Sequence, residues 1–205
     1  MTTIILTRHG HVDWIAPERF RGRAELPLSE LGKRQAEALA SRVAEGWKPD
    51  AIYTSPLSRC VHTGEAIGRA TGLQPRPLDA LADTDYGLWQ GRTHEEVRAS
   101  WPDELRLWLE APDLAVIPAG ETLAAVLVRA INVLQVVLHK HQGQTIVLVG
   151  HDSINRILLL HALGMPLSRY WRIKQAPCCL NEIEIQDTVF TVHRVNENHH
   201  AAGFS

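Results

Sequence analysis

Two short runs of β-branched residues, each ending near a histidine, constrain the fold most strongly. An apolar run at residues 3–7 (TIILT) is followed after one arginine by His9, and a second run at residues 145–150 (TIVLVG) is followed by His151. Such runs, stopped by turn-forming residues, are typical of buried strands. In an open α/β sheet, ligands bind beyond the carboxyl ends of the strands. The pattern therefore predicts that the two histidines, though distant in sequence, share one pocket.

The remaining segments alternate between strand and helix patterns. Strands are predicted near residues 3–7, 51–54, 73–78 and 145–150, and helices near residues 30–46, 57–70 and 123–137 and from about residue 152. Residues 180–186 and 189–195 alternate around an Asp-Thr turn, as an antiparallel hairpin does. These patterns predict an α/β fold, a three-layer αβα sandwich whose mainly parallel sheet has helices on both faces and an antiparallel hairpin at one edge.

One segment in the middle of the chain departs from this alternation. Residues 81–119 contain several prolines, short helical patterns and three of the six tryptophans, Trp89, Trp101 and Trp108. We predict that residues 1–205 form a single domain, in which residues 81–119 are an insertion that caps one end of the sheet.

Composition excludes several classes of function. With 21 basic and 23 acidic side chains, the net charge of −2 predicts no nucleic-acid partner. No stretch approaches the roughly 18 uninterrupted apolar residues of a membrane span. The first residues show no leader pattern, and three cysteines do not form a disulfide framework, which predicts a cytoplasmic protein with reduced thiols. The oligomeric state stays open, with a homodimer as one candidate.

Arg8, directly before His9, narrows the chemistry of that histidine. A histidine can act as a base, a metal ligand or a phosphoryl-accepting nucleophile. A fixed cation beside an imidazole disfavours its protonation, so a ring nitrogen stays available for attack. The same cation repels a metal ion, whereas its guanidinium group can donate two hydrogen bonds to the oxygens of a phosphate. We therefore expect His9 to be a nucleophile and expect no metal or cofactor.

Further positive charge is predicted at the same edge of the sheet. Arg59 lies in the first turn of the helix that follows the loop at residues 54–56. His151 directly precedes a helix, and the free N–H groups of a helix N-terminus favour an anion. Arg21, in the loop after the first strand, is a further candidate for substrate binding. Together these groups describe a pocket for a dianion, which would stabilise a transferring phosphoryl group.

A leaving alkoxide also needs a proton donor. Asp83 and Asp85 are the carboxylates nearest to a predicted strand end. A carboxyl that shares its pocket with a phosphate is pushed towards its protonated form, as a general acid requires. Asp83 is the first candidate for this role, and Asp85 is the alternative.

Several short motifs occur in a fixed order along most of the chain. They are LTRHG at residues 6–10, RG at 21–22, LPLSELGKRQA at 26–36, TSPLSR at 54–59 with Thr63, YGLWQG at 86–91, GET at 120–122 and VGH at 149–151. The ordered series resembles the histidine phosphatase superfamily, which includes the cofactor-dependent phosphoglycerate mutases.

The resemblance implies a reaction in two steps. His9 would attack phosphorus to give a phosphohistidine, which water then hydrolyses. Arg8, Arg59 and His151 would hold the phosphoryl oxygens without a metal. A carboxylate within residues 81–87 would protonate the leaving group and later activate water. Specificity would lie in residues 81–119 and in the loop at residues 11–23, where the family varies.

Two departures from the usual pattern of this family concern the pocket lining. The family usually has Glu where this chain has Asp83, so the acid is one methylene shorter. Val12 and Ile15 occupy the places of a Thr and an Asn that commonly help to line the pocket. We expect His11 or Arg21 to compensate for those missing polar groups.

A third departure follows the second histidine. The family often has Gly after this histidine, whereas this chain has Asp152. Because an extra carboxylate beside a phosphate is unfavourable, we expect Asp152 to point away from the pocket and to cap the following helix.

Three functions are compatible with these residues. The first is hydrolysis of a small phosphorylated metabolite by a metal-independent phosphatase. The second is a phosphoryl mutase, which would keep the phosphohistidine long enough to pass the group back. The third is a non-catalytic protein that binds a phosphorylated ligand, because fold-level analogy does not determine function.

Overall fold

Six strands form one sheet in the computed structural model, which describes residues 1–14 and 18–204. The strands are Thr2–Arg8 (β1), Ala51–Thr54 (β2), Arg76–Pro77 (β3), Thr145–Gly150 (β4), Leu180–Gln186 (β5) and Val189–Glu197 (β6). Their order across the sheet is β3-β2-β4-β1-β5-β6. The first four strands run parallel, and β5 and β6 add an antiparallel hairpin beside β1. The prediction of a mainly parallel sheet with an antiparallel hairpin at its edge is confirmed.

The register between β1 and β4 decides where the site forms. Arg8 lies opposite Gly150 in the parallel pairing of these two strands. The residues that follow, His9 and His151, therefore leave the sheet side by side at its carboxyl edge. The predicted pairing of the two histidines follows directly from this register.

Six α-helices occur in the described part of the chain. They are Glu30–Gly46 (α1), Ser58–Thr71 (α2), His94–Ser100 (α3), Pro102–Glu110 (α4), Leu123–Lys140 (α5) and Asp152–Ala162 (α6). Short 3₁₀ turns add Asp79–Leu81, Gly87–Trp89, Leu167–Arg172 and His199–Ala201. Ser29 caps α1, because its hydroxyl accepts a hydrogen bond of 3.1 Å from the N–H of Gly32. Gly72 ends α2 in the left-handed conformation that glycine adopts without strain.

Alternate strand residues face opposite helical layers. Ile5 and Val147 belong to one buried cluster, together with side chains of α1 and α2. Leu6 and Leu148 belong to a second buried cluster, together with side chains of α5 and α6. Because successive strand residues point to opposite faces, continuous apolar runs are what a sheet covered on both faces requires. The predicted three-layer sandwich is therefore confirmed.

Residues 81–119 pack against the same core as α5 and α6. Trp89, Val97, Leu105 and Trp108 are buried and belong to the cluster that contains Leu148. Two short helices, α3 and α4, replace in this segment the strand–helix alternation seen elsewhere. A Thr93 capping box begins α3, and Pro102 occupies the first turn of α4, where its missing N–H has no cost. The buried tryptophans of this segment thus contribute to the core.

The third strand is shorter than predicted. The pattern at residues 73–78 indicates a strand, but only Arg76–Pro77 pairs with β2. Pro75 and Pro77 lack an N–H group and cannot donate to a ladder, which confines this segment to a brief pairing at the sheet edge.

One helix in the described residues, α5, is long and apolar enough to cross a membrane by length and composition. Its buried face, which includes Val126 and Leu134, belongs to the core cluster of the sandwich. Arg129 interrupts its apolar surface and donates hydrogen bonds to the carbonyls of Ala80 and Ala82. One face of α5 is thus packed against the core of the sandwich.

Candidate active site

The two histidine rings meet at the carboxyl edge of the sheet. Their centroids lie 5.1 Å apart in an edge-to-face arrangement. The N–H of His9 donates to the carbonyl of Gly150 at 3.0 Å, and the N–H of Cys178 donates to the carbonyl of His9 at 3.2 Å. The backbone of His9 is therefore held between β4 and the segment that leads into β5.

The hydrogen bond at Nδ1 of His9 determines which ring nitrogen is free. Nδ1 lies 2.7 Å from the carbonyl oxygen of Gly10. Because a carbonyl can only accept, Nδ1 carries the proton of the neutral ring and Nε2 keeps its lone pair. Burial lowers the pKa of His9 well below its ordinary value, and the nearby His151, Arg59 and Arg8 lower it further. His9 is thus a neutral imidazole with a free Nε2, which is the form that can attack an electrophile.

Arg59 is a fully buried cation at the start of α2. Its Nη1 donates to the carbonyl of Ala24 at 2.8 Å, and its Nη2 donates to the carbonyl of Gly22 at 2.6 Å. The same Nη2 lies 3.3 Å from Oδ2 of Asp83. These bonds attach the loop after β1 to α2 and fix the guanidinium beside both histidines.

Arg8 is a second cation at the same point, as predicted from its position before His9. Its Nη1 donates to the carbonyl of Gln175 at 2.6 Å. Its Nε is buried and has no hydrogen-bond partner among the described residues. Because a buried donor without a partner is costly, this N–H is available for an anion.

His151 is the N-cap residue of α6 and has contacts on both sides of its ring. Nε2 shares a hydrogen bond of 2.8 Å with Oγ of Ser55, and Nδ1 lies 3.5 Å from Oδ2 of Asp83. Burial lowers the pKa of His151 well below its ordinary value, and Arg59 adds to this effect. Sγ of the buried Cys60 also lies 3.4 Å from Nε2 of His151. Neither Ser55 nor Cys60 is predicted as a site residue, although the TSPLSR motif contains the serine.

Asp83 is buried beside His151 and the first turn of α6. Its Oδ1 accepts hydrogen bonds from the hydroxyl of Ser153 at 2.5 Å and from the N–H of Thr84 at 2.9 Å. Burial raises the pKa of Asp83, and although Arg59 opposes this shift, the negative charge of Asp152 adds to it. The carboxyl therefore keeps a proton at higher pH than an exposed aspartate, which is the property of a proton donor.

Asp85, the alternative acid, lies outside this cluster. Its Oδ1 accepts from the N–H of Gly87 at 2.8 Å, which begins a 3₁₀ turn. Its Oδ2 lies 3.7 Å from Nη1 of Arg23 in a partly exposed ion pair. Of the two alternatives, the structure brings Asp83 and not Asp85 to the histidines.

A cavity of about 210 Å³ opens beside Asp83. Arg21 lines it, and within the described part of the chain the side chain of this arginine has no hydrogen bond or ion pair. The other lining residues are Glu18, Arg19, Phe20, Gly22, Asp83, Tyr86, His94, Trp108, Leu109, Asp152, Arg156 and Trp171. Most of them come from residues 81–119 and from the loop after β1, the two segments in which specificity is expected.

The prediction for Asp152 is wrong. Asp152 lines the cavity, and the N-cap position of α6 is occupied by His151, whose side chain makes no capping hydrogen bond among the described residues. Oδ2 of Asp152 accepts a hydrogen bond of 3.2 Å from Nη1 of Arg156, whose guanidinium lies 5.0 Å from the ring centroid of Trp171. Although burial opposes it, the charges of Arg8, Arg156 and Arg21 hold the pKa of Asp152 below its ordinary value. Because of these arginines, a carboxylate can remain charged where the sequence predicts that it would be excluded.

Val12 and Ile15 occupy places that line the pocket in the family pattern, and His11 is one of two residues expected to compensate for the missing polar groups. Val12 is buried in the core beside Leu28 and does not line the cavity. Ile15 lies outside the described residues. Nδ1 of His11 shares a hydrogen bond of 2.8 Å with Ser29 at the start of α1, so of the two expected replacements only Arg21 reaches the cavity.

The charge at this site is supplied by side chains. Within the described ranges, residues 1–14 and 18–204, no group of three or more His, Cys, Asp or Glu side chains is placed to hold a metal ion. The positive charge beside the histidines comes from Arg8 and Arg59.

Known proteins match most or all of the chain. Phosphoserine phosphatase 1 of Hydrogenobacter thermophilus is 32% identical over 204 residues, which cover 100% of this chain and 96% of that protein. A metal-independent phosphoserine phosphatase of Arabidopsis thaliana is 29% identical over 163 residues, which cover 78% of this chain and 68% of that protein. The solved structure of Bacillus stearothermophilus YhfR has a TM-score of 0.92 at 29% identity, covering 98% of this chain and 100% of that one.

The family itself is identified by its sequence pattern. The pattern of the histidine phosphatase superfamily (branch 1) matches residues 4–198. This range includes the strand that precedes His9, the helix that carries Arg59 and the strand that precedes His151. The chain therefore belongs to the histidine phosphatase superfamily.

Proposed function

We propose that this protein is a phosphatase that hydrolyses a small phosphomonoester through a phosphohistidine on His9. One observation carries the proposal: a buried neutral imidazole with a free Nε2 lies among two arginines and a carboxyl of raised pKa. In the first step, Nε2 forms a bond to phosphorus while the bond to the ester oxygen breaks, and Asp83 gives its proton to the leaving alkoxide. In the second step, water gives a proton to Asp83 and attacks phosphorus, which frees His9 and inorganic phosphate.

We assign the phosphoryl oxygens to Arg8, Arg59 and His151. Arg8 and Arg59 are fixed cations in a buried site, and such cations stabilise the charge of a transferring phosphoryl group without reorganising during the reaction. These cations can supply the charge stabilisation that a metal supplies elsewhere, so the reaction is written without a metal. The relative named as a metal-independent phosphoserine phosphatase supports this assignment.

We propose that the leaving group occupies the cavity of about 210 Å³ beside Asp83 and bears a carboxylate. Arg21 lines this cavity, and so does Arg156, whose Nη1 donates a hydrogen bond of 3.2 Å to Oδ2 of Asp152. An arginine fork matches a carboxylate geometrically. The name of the relative from Hydrogenobacter thermophilus supports phosphoserine as the first compound to test.

We further propose that residues 1–205 act as one domain, in which residues 81–119 are the cap over this cavity. Tyr86, His94, Trp108 and Leu109 of that segment line the cavity, and its buried tryptophans belong to the core of the sandwich. The segment would therefore select substrates while remaining part of the folded core.

The same proposal assigns the reaction to the cytoplasm. Within the described chain, Cys60, Cys178 and Cys179 are buried free thiols. Burial raises the pKa of Cys179 to about 12, so this thiol stays protonated and unreactive. Free thiols of this kind are typical of a reducing compartment.

The nucleophile is tested by replacing His9. For His9→Ala we expect phosphate release from an aryl phosphate to fall by on the order of 10⁴-fold or more, because no other group can form the covalent intermediate. The measurement is steady-state release of inorganic phosphate in the presence of a chelator. A variant that retained the wild-type rate would exclude His9 as the nucleophile. If the wild type transferred phosphate between two hydroxyl groups faster than it released inorganic phosphate, the protein would instead be a mutase.

The protonation state of His9 can be measured directly. An ordinary histidine side chain is half protonated at about pH 6.5. Because the pKa of His9 is lowered, we expect the neutral ring, with its proton on Nδ1, to persist as the pH falls through that value. Nitrogen-15 NMR of the imidazole groups, assigned with His9→Ala, gives the titration midpoint. A midpoint at or above that of a free histidine would contradict the proposal.

The acid is tested by comparing Asp83→Asn with Asp85→Asn. An alkyl phosphate has a poor leaving group that needs a proton, so we expect Asp83→Asn to lower kcat/KM by about 10²-fold for it. For an aryl phosphate with a good leaving group the same variant should lose much less. Asp85→Asn is the matched control, since Asp85 lies in a partly exposed ion pair, and equal small losses in both variants would exclude Asp83 as the acid.

The carboxylate specificity is tested with Arg21→Ala. We expect KM for phosphoserine to rise by about tenfold, because a charge-assisted hydrogen bond to the substrate is lost, while kcat changes little. Glycerol phosphate lacks the carboxylate and serves as the matched control substrate. An equal rise in KM for both compounds would assign Arg21 to the phosphate rather than to the leaving group.

A further inference from the structure

A buried hydroxyl lies behind the carboxyl of Asp83. Ser153, the second residue of α6, is fully buried, and its Oγ donates to Oδ1 of Asp83 at 2.5 Å. Oδ1 of Asp83 also accepts a hydrogen bond of 2.9 Å from the N–H of Thr84. Oδ1 thus has two donors, neither of which is a group that binds the phosphoryl oxygens in the proposed reaction.

The other carboxyl oxygen lies beside Arg59 and His151. Oδ2 of Asp83 accepts a hydrogen bond of 3.3 Å from Nη2 of Arg59 and lies 3.5 Å from Nδ1 of His151. Because Oδ1 already accepts two hydrogen bonds and Oδ2 accepts one, the proton of the neutral acid fits best on the second lone pair of Oδ2. In the proposed reaction, Oδ2 gives this proton to the leaving group.

We propose that Ser153 is a positioning residue for proton transfer, because its hydroxyl holds Oδ1 of Asp83 and so directs Oδ2 towards the leaving oxygen. This inference rests on the proposed phosphatase function. The terminal torsion of an aspartate is broad. Without the hydroxyl, Oδ1 keeps only the hydrogen bond from the N–H of Thr84, so the carboxyl can rotate more freely away from the phosphoryl group. A hydrogen bond from a residue that takes no part in the reaction restricts such a rotation.

The helix that carries Ser153 links this effect to phosphate binding. His151 is the N-cap of α6, and Ser153 lies two residues later. The start of α6 therefore carries both His151, which would bind the phosphoryl oxygens, and Ser153, whose hydroxyl orients Asp83. A shift of this helix would move both together, which keeps the acid in register with the bound phosphoryl group.

The hydroxyl also affects the proton affinity of the acid. A donor to a carboxylate stabilises its charged form, and the bond from Ser153 opposes the increase that burial causes in the pKa of Asp83. Removing the hydroxyl should raise the pKa of Asp83 further. At high pH the rate falls because Asp83 loses its proton. In the variant this fall should occur at higher pH than in the wild type.

The experiment compares Ser153→Ala with the wild type on two substrates. The quantity is kcat/KM, which reports steps up to the first irreversible one and so excludes the later hydrolysis of the phosphohistidine. For an alkyl phosphate we expect a loss of on the order of 10- to 100-fold, as misplacement of a general acid produces. For 2,4-dinitrophenyl phosphate, whose leaving group needs no proton, we expect a loss of no more than about threefold.

Two further comparisons separate positioning from folding. Ser153→Thr keeps the hydroxyl and should restore the rate on the alkyl phosphate, whereas Ser153→Val has the shape of threonine without the hydroxyl and should not. Ser55→Ala is the matched control, because it removes a buried hydroxyl that contacts His151 and not Asp83. We expect that variant to lose rate equally on both substrates. If Ser153→Ala fails to fold, the Thr and Val variants supply the comparison.

The outcomes distinguish this inference from the proposed function. Equal losses on both substrates, no loss on either, or a Val variant as active as the Thr variant would overturn the role of Ser153. In each of these cases the wild type would still release phosphate through His9. Failure of the wild type to release phosphate from either substrate would instead overturn the proposed function.

Discussion

The parallel pairing of β1 with β4 is the constraint on which the rest of the site depends. Arg8 lies opposite Gly150, so the chain leaves both strands with a histidine as its next residue. A shift by one residue would turn the side chains of one strand to the other face and disrupt the packing of its apolar residues. Burial of both sheet faces therefore holds the register, and the register brings His9 to His151. The stability of the core and the geometry of the site have the same physical origin.

Burial acts on the ionisable groups of this site in a consistent direction. It favours the neutral form of every group that can lose its charge, so His9 and His151 stay unprotonated and Asp83 tends to keep its proton. Arginine cannot give up its charge in this way, so Arg8 and Arg59 remain cations inside the protein. Their charge is partly compensated by backbone carbonyls, which leaves positive potential for an anion. The site is thus prepared for a phosphoryl group before any substrate binds.

Local signals were sufficient where neighbours in sequence decide the structure. The cap at Ser29, the end of α2 at Gly72 and the hairpin of β5 and β6 all depend on residues within a few positions of one another. Prediction was less successful where a distant partner decides. The sequence predicts that Asp152 points away from the pocket because a lone carboxylate is unfavourable there, yet the distant Arg8 and Arg21 stabilise its charge, together with Arg156 four residues along the same helix. Ser153 could have been noticed at a helix start, but its partner lies 70 residues away.

Strand and helix periodicity and the ordered motifs are local properties of the chain. They were therefore enough to predict the sandwich, the family and the grouping of His9 and His151 with Arg8 and Arg59. The sequence ranks Asp83 above Asp85, but the three-dimensional packing was needed to decide which of these two chemically identical side chains lies beside the histidines. One carboxylate turns inward to Ser153 and Arg59, and the other turns outward to Arg23. That choice depends on which groups from remote segments are packed around each side chain, and no local pattern contains this information.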